Sequence, residues 1–232
     1  YTLGHRDGDL SFDRRDSASY MPRCAVIDPA FSWGAERAPA TPWDRTVIYE
    51  AHVRGLTMQH PDVPQAERGT LSALRHDAVV DHLSHLGVTA IELLPVAEFG
   101  GRRGWGYDGV LLYCPHGVYG GHRGLKRLVD AAHERGLMVF LDVVYNHFGP
   151  DGNYIPSYLP DFFQSETHTP WGPAIAYDEP AVRAFMIENA LYWLEEYRVD
   201  GLRLDAVHAI DDERFLQQLA EEVHAVVPHA HL

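Results

Sequence analysis

Cysteine is nearly absent: Cys24 and Cys114 are the only two in 232 residues. They stand far apart, in no metal-ligand spacing. Free thiols in a reducing, cytoplasmic compartment are the default expectation, with a disulfide the lesser alternative. Positive charge is also short, since 19 Lys and Arg face 33 Asp and Glu for a formal net charge of −14. That balance argues against nucleic acid or an anionic membrane as partner, because both attract basic patches, and leaves a neutral ligand as the easiest one to accommodate. No apolar run approaches the roughly 20 residues of a membrane span. The 15 histidines are scattered. His229 and His231 form the only i,i+2 pair, without acidic or thiol neighbours, so no metal and no cofactor is expected.

What the chain does contain is material for a core: 46% apolar and 11% aromatic residues. Residues 1–42 are broken by Gly4, Gly8, Pro22, Pro29, Gly34, Pro39 and Pro42 and read as a wrapping segment or linker. The opening on Tyr1 reads as a cut inside a longer polypeptide. From Trp43 the pattern is regular. Strands are expected at 47–53, 88–96, 137–144 and 200–207, and helices at about 75–86, 122–135, from Pro180, and from Asp212 to Pro228. Strands apolar on both faces, alternating with helices, imply a parallel sheet. A doubly wound nucleotide-binding sheet should carry a Gly-rich phosphate turn after its first strand. Arg54-Gly55-Leu56-Thr57-Met58 is no such turn. Polar residues gather instead at strand ends: Glu50 and His52, then Asp142, Asn146 and His147, then Arg203, Asp205 and His208. That is the habit of a (β/α)8 barrel. The expected fold is therefore α/β, the N-terminal half of a TIM barrel over 43–232, with four βα units and an irregular segment before it.

Arg203 and Asp205 share one face of a strand, because side chains alternate along it. A neighbouring guanidinium favours the ionised carboxylate, and an ionised Asp at a strand end can attack an electrophilic carbon such as an anomeric centre. A buried structural ion pair is the alternative. Asp142 interrupts the apolar run LMVFLDVV, so it is expected to be buried and in need of a partner, for which Arg203 is the natural candidate. His147 could donate to a ligand hydroxyl or serve only structure. Trp105 and Tyr107 stand among Gly104, Gly106 and Gly109, a composition suited to packing a sugar's C–H face on rings. A core aromatic pair is the alternative. Tyr154, Tyr158, Phe162, Phe163 and Trp171 add aromatics to the long 146–178 loop, and loops of that length are usually functional or disordered.

DVVYNH at 142–147, GLRLDAVH at 201–208 and WGYDG at 105–109, in this order, resemble the signature regions of the alpha-amylase superfamily, glycoside hydrolase family 13. The resemblance implies a retaining hydrolase of maltooligosaccharide-type α-glucans. Asp205 would be the nucleophile and Arg203 its charge partner. Asp142 and His147 would line the subsite of the attacked glucose, Tyr107 would stack on that ring, and His208 would lie toward the leaving side; Trp105 and Trp171 are further substrate-binding candidates. Residues 96–232 resemble members acting on the α-1,4 bond beside a terminal trehalose. Residues 1–95 resemble members cleaving α-1,6 branch points of glycogen. A glucan-branching transferase and a non-catalytic glucan-binding fragment are weaker alternatives. Residues 1–42 would be the remnant of a carbohydrate-binding module or its linker. A retaining mechanism also needs a general acid about 5–5.5 Å from the nucleophile. By resemblance this is a Glu at the end of a fifth strand, and no Glu of this sequence fits that place. Exposed edges at the first and fourth strands would then favour association. Oligomeric state is not legible.

Overall fold

The computed structural model describes residues 14–16, 26–34, 37–210 and 212–232. Residues 14–16 and 26–30 belong to a separate N-terminal unit, Tyr1–Ala30, and are exposed and without helix or strand. Most of the linker-like segment 1–42, Cys24 included, lies outside the described residues. The second unit runs from Phe31 to Leu232. Its first residues are held against it. Gly34 N–H donates to Asp130 (2.8 Å), and the Arg198 guanidinium lies 4.6 Å from the Trp33 ring centre.

The elements are β1 (Ile48–Ala51), α1 (Val53–Thr57), α2 (Leu71–Leu74), α3 (Asp77–His85), β2 (Ala90–Leu93), β3 (Ala97–Phe99), β4 (Gly109–Pro115), α4 (Gly121–His133), β5 (Met138–Val143), α5 (Ile155–Tyr158), β6 (Phe163–Thr169), β7 (Gly172–Ile175), α6 (Pro180–Glu196), β8 (Gly201–Leu204) and α7 (Glu213–Val226). Pro180 opens α6, where its missing N–H costs nothing. Asp212 caps α7 by accepting Phe215 N–H (3.2 Å). The helix expected over 75–86 is α3, Asp77–His85, and a separate short turn, α2, precedes it at Leu71–Leu74.

β1, β2, β5 and β8 form one wholly parallel sheet in that order. Its register lines up Glu50, Glu92, Phe140 and Gly201, and two residues on, on the same face, sets Asp142 beside Arg203. The opposite face carries Ala51, Ile91, Leu93, Val139, Leu141 and Leu202 into the main core, against α3, α4, α6 and α7. Among the described residues helices cover one face only, the arrangement of barrel strands rather than of a doubly wound sheet. The other face holds a small separate cluster of Ala90, Met138 and Phe140, and borders a groove of about 450 Å³ lined by Trp43, Ile48, Glu92 and Leu204. This is the interior face of a partial (β/α)8 barrel. At the edge, Ile48, Tyr49 and Glu50 of β1 are exposed. On the far side of β8, His231 forms a parallel bridge with Gly201: its carbonyl accepts Leu202 N–H (2.8 Å) and its N–H donates to Asp200 O (2.9 Å).

Two antiparallel hairpins stand outside the barrel pattern. β3–β4 includes two register shifts, and β6–β7 occupies much of the long aromatic loop. That loop is thus structured by its own hairpin and by α5, with Phe148, Phe162 and Phe163 packing edge to face. Among the described residues no helix is long and apolar enough to cross a membrane.

Candidate active site

Three charged residues meet at the carboxyl ends of β5 and β8. The register sets Asp142 and Arg203 side by side on the interior face, and Asp205 follows directly after β8, two residues beyond Arg203. Arg203 Nη1 lies 3.0 Å from both oxygens of Asp142 and 2.5 Å from Asp205 Oδ1. Exposure differs steeply across the cluster: the side chain is 2% exposed in Asp142, 19% in Asp205 and 45% in Arg203. Asp205 is therefore the carboxylate a ligand can reach, and Asp142 forms the floor.

Burial raises the carboxyl of Asp142 above the ordinary aspartate range, and it outweighs the hydroxyl of Tyr107 and the guanidinium of Arg203, which pull the other way. Burial works against the charge on Arg203, but its bonds to the two aspartates prevail and hold it firmly protonated. Tyr107 donates its hydroxyl to Asp142 Oδ2 (2.8 Å) and, by burial first and this bond second, resists ionisation. Sequence reading names the ring of Tyr107 and misses this bond, which no spacing rule reveals.

Ala206, next to Asp205, adopts a left-handed backbone (φ 43°, ψ 44°), a conformation that costs a non-glycine residue roughly 1–2 kcal/mol. It turns the chain off the sheet into the short 3-10 turn Val207–Ala209, where His208 is exposed and, among the described residues, makes no hydrogen bond or ion pair. His147 lies under the β6–β7 hairpin. Its ring is buried and stacks on Trp171 (5.0 Å between centres, 18° between planes), and its Nδ1 has no partner among the described residues. Burial lowers its pKa, against the pull of the Tyr107 backbone, Asp108 and Asp205. Both side-chain polar atoms of buried Asn146 are likewise unpartnered, beside a cleft of about 460 Å³ that Gln164, Asp178 and Asp212 also line. Buried polar atoms are normally satisfied, so these vacancies suit a polar ligand or water. Trp105, 76% exposed, projects from the glycine loop.

The structure thus brings Asp142, Arg203, Asp205 and Tyr107 into direct contact and joins His147 to Trp171, while His208 and Trp105 stand free at the rim. Glu92 went unnamed as a site residue, although it breaks its apolar run just as Asp142 does. It sits on the interior face, and burial, then Asp142 and Glu50, raise its carboxyl.

Residues 62–171, from the loop before α2 to the tip of the β6–β7 hairpin, match the family model for the alpha amylase catalytic domain. Among curated proteins the chain is similar to a malto-oligosyltrehalose trehalohydrolase of Arthrobacter ramosus, 48% identical over 200 residues, covering 84% of this chain and 32% of that protein. It is also similar to a glycogen debranching enzyme of Serratia proteamaculans, 37% identical, covering 83% of this chain and 33% of the relative. Among solved structures, a putative alpha amylase from Salmonella typhimurium superposes with a TM-score of 0.79 at 48% identity, over 86% of this chain and 33% of that one. Pullulanase type I from Bacillus subtilis, complexed with maltose, follows at 0.78 and 27% identity, over 88% and 33%. The chain spans about a third of the length of the curated relatives it matches. In its parallel barrel strands and the charged cluster at their ends, it is similar to the alpha-amylase catalytic domain, whose family model it matches over residues 62–171.

Proposed function

We propose that the chain is the nucleophile-bearing half of the catalytic barrel of a retaining α-glucan hydrolase. The full enzyme in this reading is a malto-oligosyltrehalose trehalohydrolase, which hydrolyses the α-1,4 bond beside a terminal trehalose. The observation that carries it is the Asp142–Arg203–Asp205 cluster, with one accessible carboxylate above one buried carboxyl on a shared guanidinium. Asp205 attacks the anomeric carbon and forms the glycosyl-enzyme; Arg203 holds it in place and ionised. Asp142 and His147 receive hydroxyls of the attacked glucose, Tyr107 faces its ring, and Trp105, Trp171 and His208 contact neighbouring sugars. The acid/base glutamate belongs to the strand that starts at the His231 bridge. Residues 1–42 connect to a carbohydrate-binding module, and the enzyme works in the cytoplasm without a cofactor, on a neutral sugar that suits an acidic protein.

A second reading, α-1,6 debranching of glycogen, is favoured by the similarity to the Serratia enzyme. The full-length enzyme should be assayed on maltooligosyltrehalose and on a branched limit dextrin. Free trehalose from the first supports the leading reading, and linear maltooligosaccharides from the second support the alternative. Chain transfer without hydrolysis would indicate a branching transferase, and no turnover of either substrate would overturn both.

A further inference from the structure

His52 lies just beyond β1, and each of its ring nitrogens has a partner whose hydrogen-bonding sense is fixed. Nδ1 sits 2.9 Å from the N–H of Gly55, which can only donate. Nδ1 is therefore the acceptor, and the neutral ring carries its proton on Nε2. Nε2 lies 2.9 Å from the carbonyl of Gly104, which can only accept. The hydroxyl of buried Tyr119 stands 3.2 Å from the same nitrogen and 3.5 Å from the same carbonyl. One imidazole thus caps α1 with one nitrogen and ties down, with the other, the residue that precedes Trp105.

The rest of that loop is held by backbone packing. Gly106, at φ 97°, is pressed against Pro95, where an added Cβ would meet the carbonyl oxygen at 2.0 Å. Gly149 donates to Gly109 O (3.0 Å), and a Cβ on Gly149 would strike Asp108 O at 2.1 Å. Between these anchors Tyr107 reaches down to Asp142. Side chains tie the loop at both ends: Tyr107 itself on Asp142, and His52 at the Gly104 carbonyl, where its bond is shorter than that of the Tyr119 hydroxyl.

We infer that His52 is a positioning residue. Through Gly104 it sets the height of the Trp105–Tyr107 loop over the aspartate–arginine floor, and it touches no sugar itself. The inference rests on the glucan-hydrolase reading for what the loop contacts, and on geometry alone for what holds the loop.

Two variants separate its two bonds. Asn places its amide oxygen near Nδ1 and keeps the α1 cap but cannot reach Gly104. Gln places a donor near Nε2 and keeps the loop bond but abandons the cap. Backbone 15N relaxation on the labelled full-length enzyme, without sugar, reads the loop directly. In His52→Asn the order parameters of 105–108 should fall from about 0.85 to about 0.6 or below, and in His52→Gln they should hold. A loop equally rigid in wild type and His52→Asn would overturn the inference. If His52→Asn does not fold, His52→Gln decides: mobility confined to 53–57 supports the loop tie, and mobility at 105–108 refutes it. In the full-length enzyme His52→Asn should raise KM for maltooligosyltrehalose about tenfold, the loss expected of a misplaced contact, with kcat within about twofold, and His52→Gln should restore it. Wild-type enzyme inactive on every α-glucan would sink the functional reading and leave the relaxation result standing.

Discussion

Asp200 and Asp205 flank the same short strand, β8, and their surroundings are opposites. At the amino end, Asp200 Oδ2 accepts His133 Nε2 (2.9 Å) and Val139 N–H (2.7 Å), while its backbone bridges β5 and His231. Its side chain is buried and satisfied within the protein. At the carboxyl end, the backbone N–H of Asp205 donates to Val143 O (2.9 Å), but its side chain is held, among the described residues, by Arg203 alone, which remains 45% exposed, and Asn146 and His147 hold unpartnered polar atoms. One strand thus has a finished end and an unfinished one. This matches the division in barrels between a lower face that stabilises and an upper face that reacts. Completeness of hydrogen bonding, more than charge or burial, distinguishes the two aspartates.

The contrast is most sharply broken by exchanging the same substitution between the two ends. Asp205→Asn in the full-length enzyme should cost about 10⁴-fold or more in kcat with an unchanged melting temperature, because only the attacking oxygen is lost. Retained turnover would dismiss Asp205 as nucleophile. Asp200→Asn should do the reverse, lowering stability by about 3 kcal/mol in urea titration through a broken buried pair, with kcat of the remaining folded enzyme near wild type. Equal activity losses at both positions would erase the distinction. Tyr107→Phe keeps the ring but leaves the buried Asp142 short of a donor, so kcat/KM should fall about tenfold, worth about 1.4 kcal/mol. A silent Tyr107→Phe combined with a damaging Tyr107→Ala would assign Tyr107 to stacking alone.

The smallest expected effect is a slope in pH. The imidazole of His147 is pushed below its ordinary 6.5, so the folded form prefers it neutral. Its contribution is complete above pH 6.5 and is lost as pH falls through the lowered value. Asp142 works in the other sense: its carboxyl is raised above 3.8, and its contribution is complete below that pH and lost as pH rises through the raised value. His147→Gln should therefore flatten the acid limb of a stability profile below pH 6.5. An unchanged limb would assign it to another imidazole such as the half-buried His122, which desolvation also pushes down.

The barrel elements were legible because their signals are local and redundant. Runs such as LMVFLDVV have little choice but a buried strand, and Gly87, Gly136 and Pro180 mark the ends of helices. The meeting of Asp142 with Arg203 was legible too, since a charge inside an apolar run needs a partner and parallel neighbours supply one. The two hairpins were harder to read. β6 carries QSETHT, without the apolar alternation that marks a strand, and β3–β4 holds together across two register shifts. The histidines hid a different role: His52, His76 and His116 each accept a backbone N–H at the start of a helical turn, a capping habit more often given to Ser, Thr, Asp or Asn. Hydrogen bonds such as Tyr107 to Asp142 join residues 35 positions apart, and only the assembled sheet brings them together.

The stacking of Trp171 on His147 makes the hairpin an optical instrument as well as a cover. An imidazolium ring draws emission from an indole in van der Waals contact far more strongly than a neutral imidazole does. At 5.0 Å and 18° the two rings are close enough for one to report the proton on the other. Because Trp43 also stacks on His231 (5.0 Å, 26°), the part of the fluorescence titration that Trp171→Phe removes is the part that belongs to His147, visible without substrate, label or turnover.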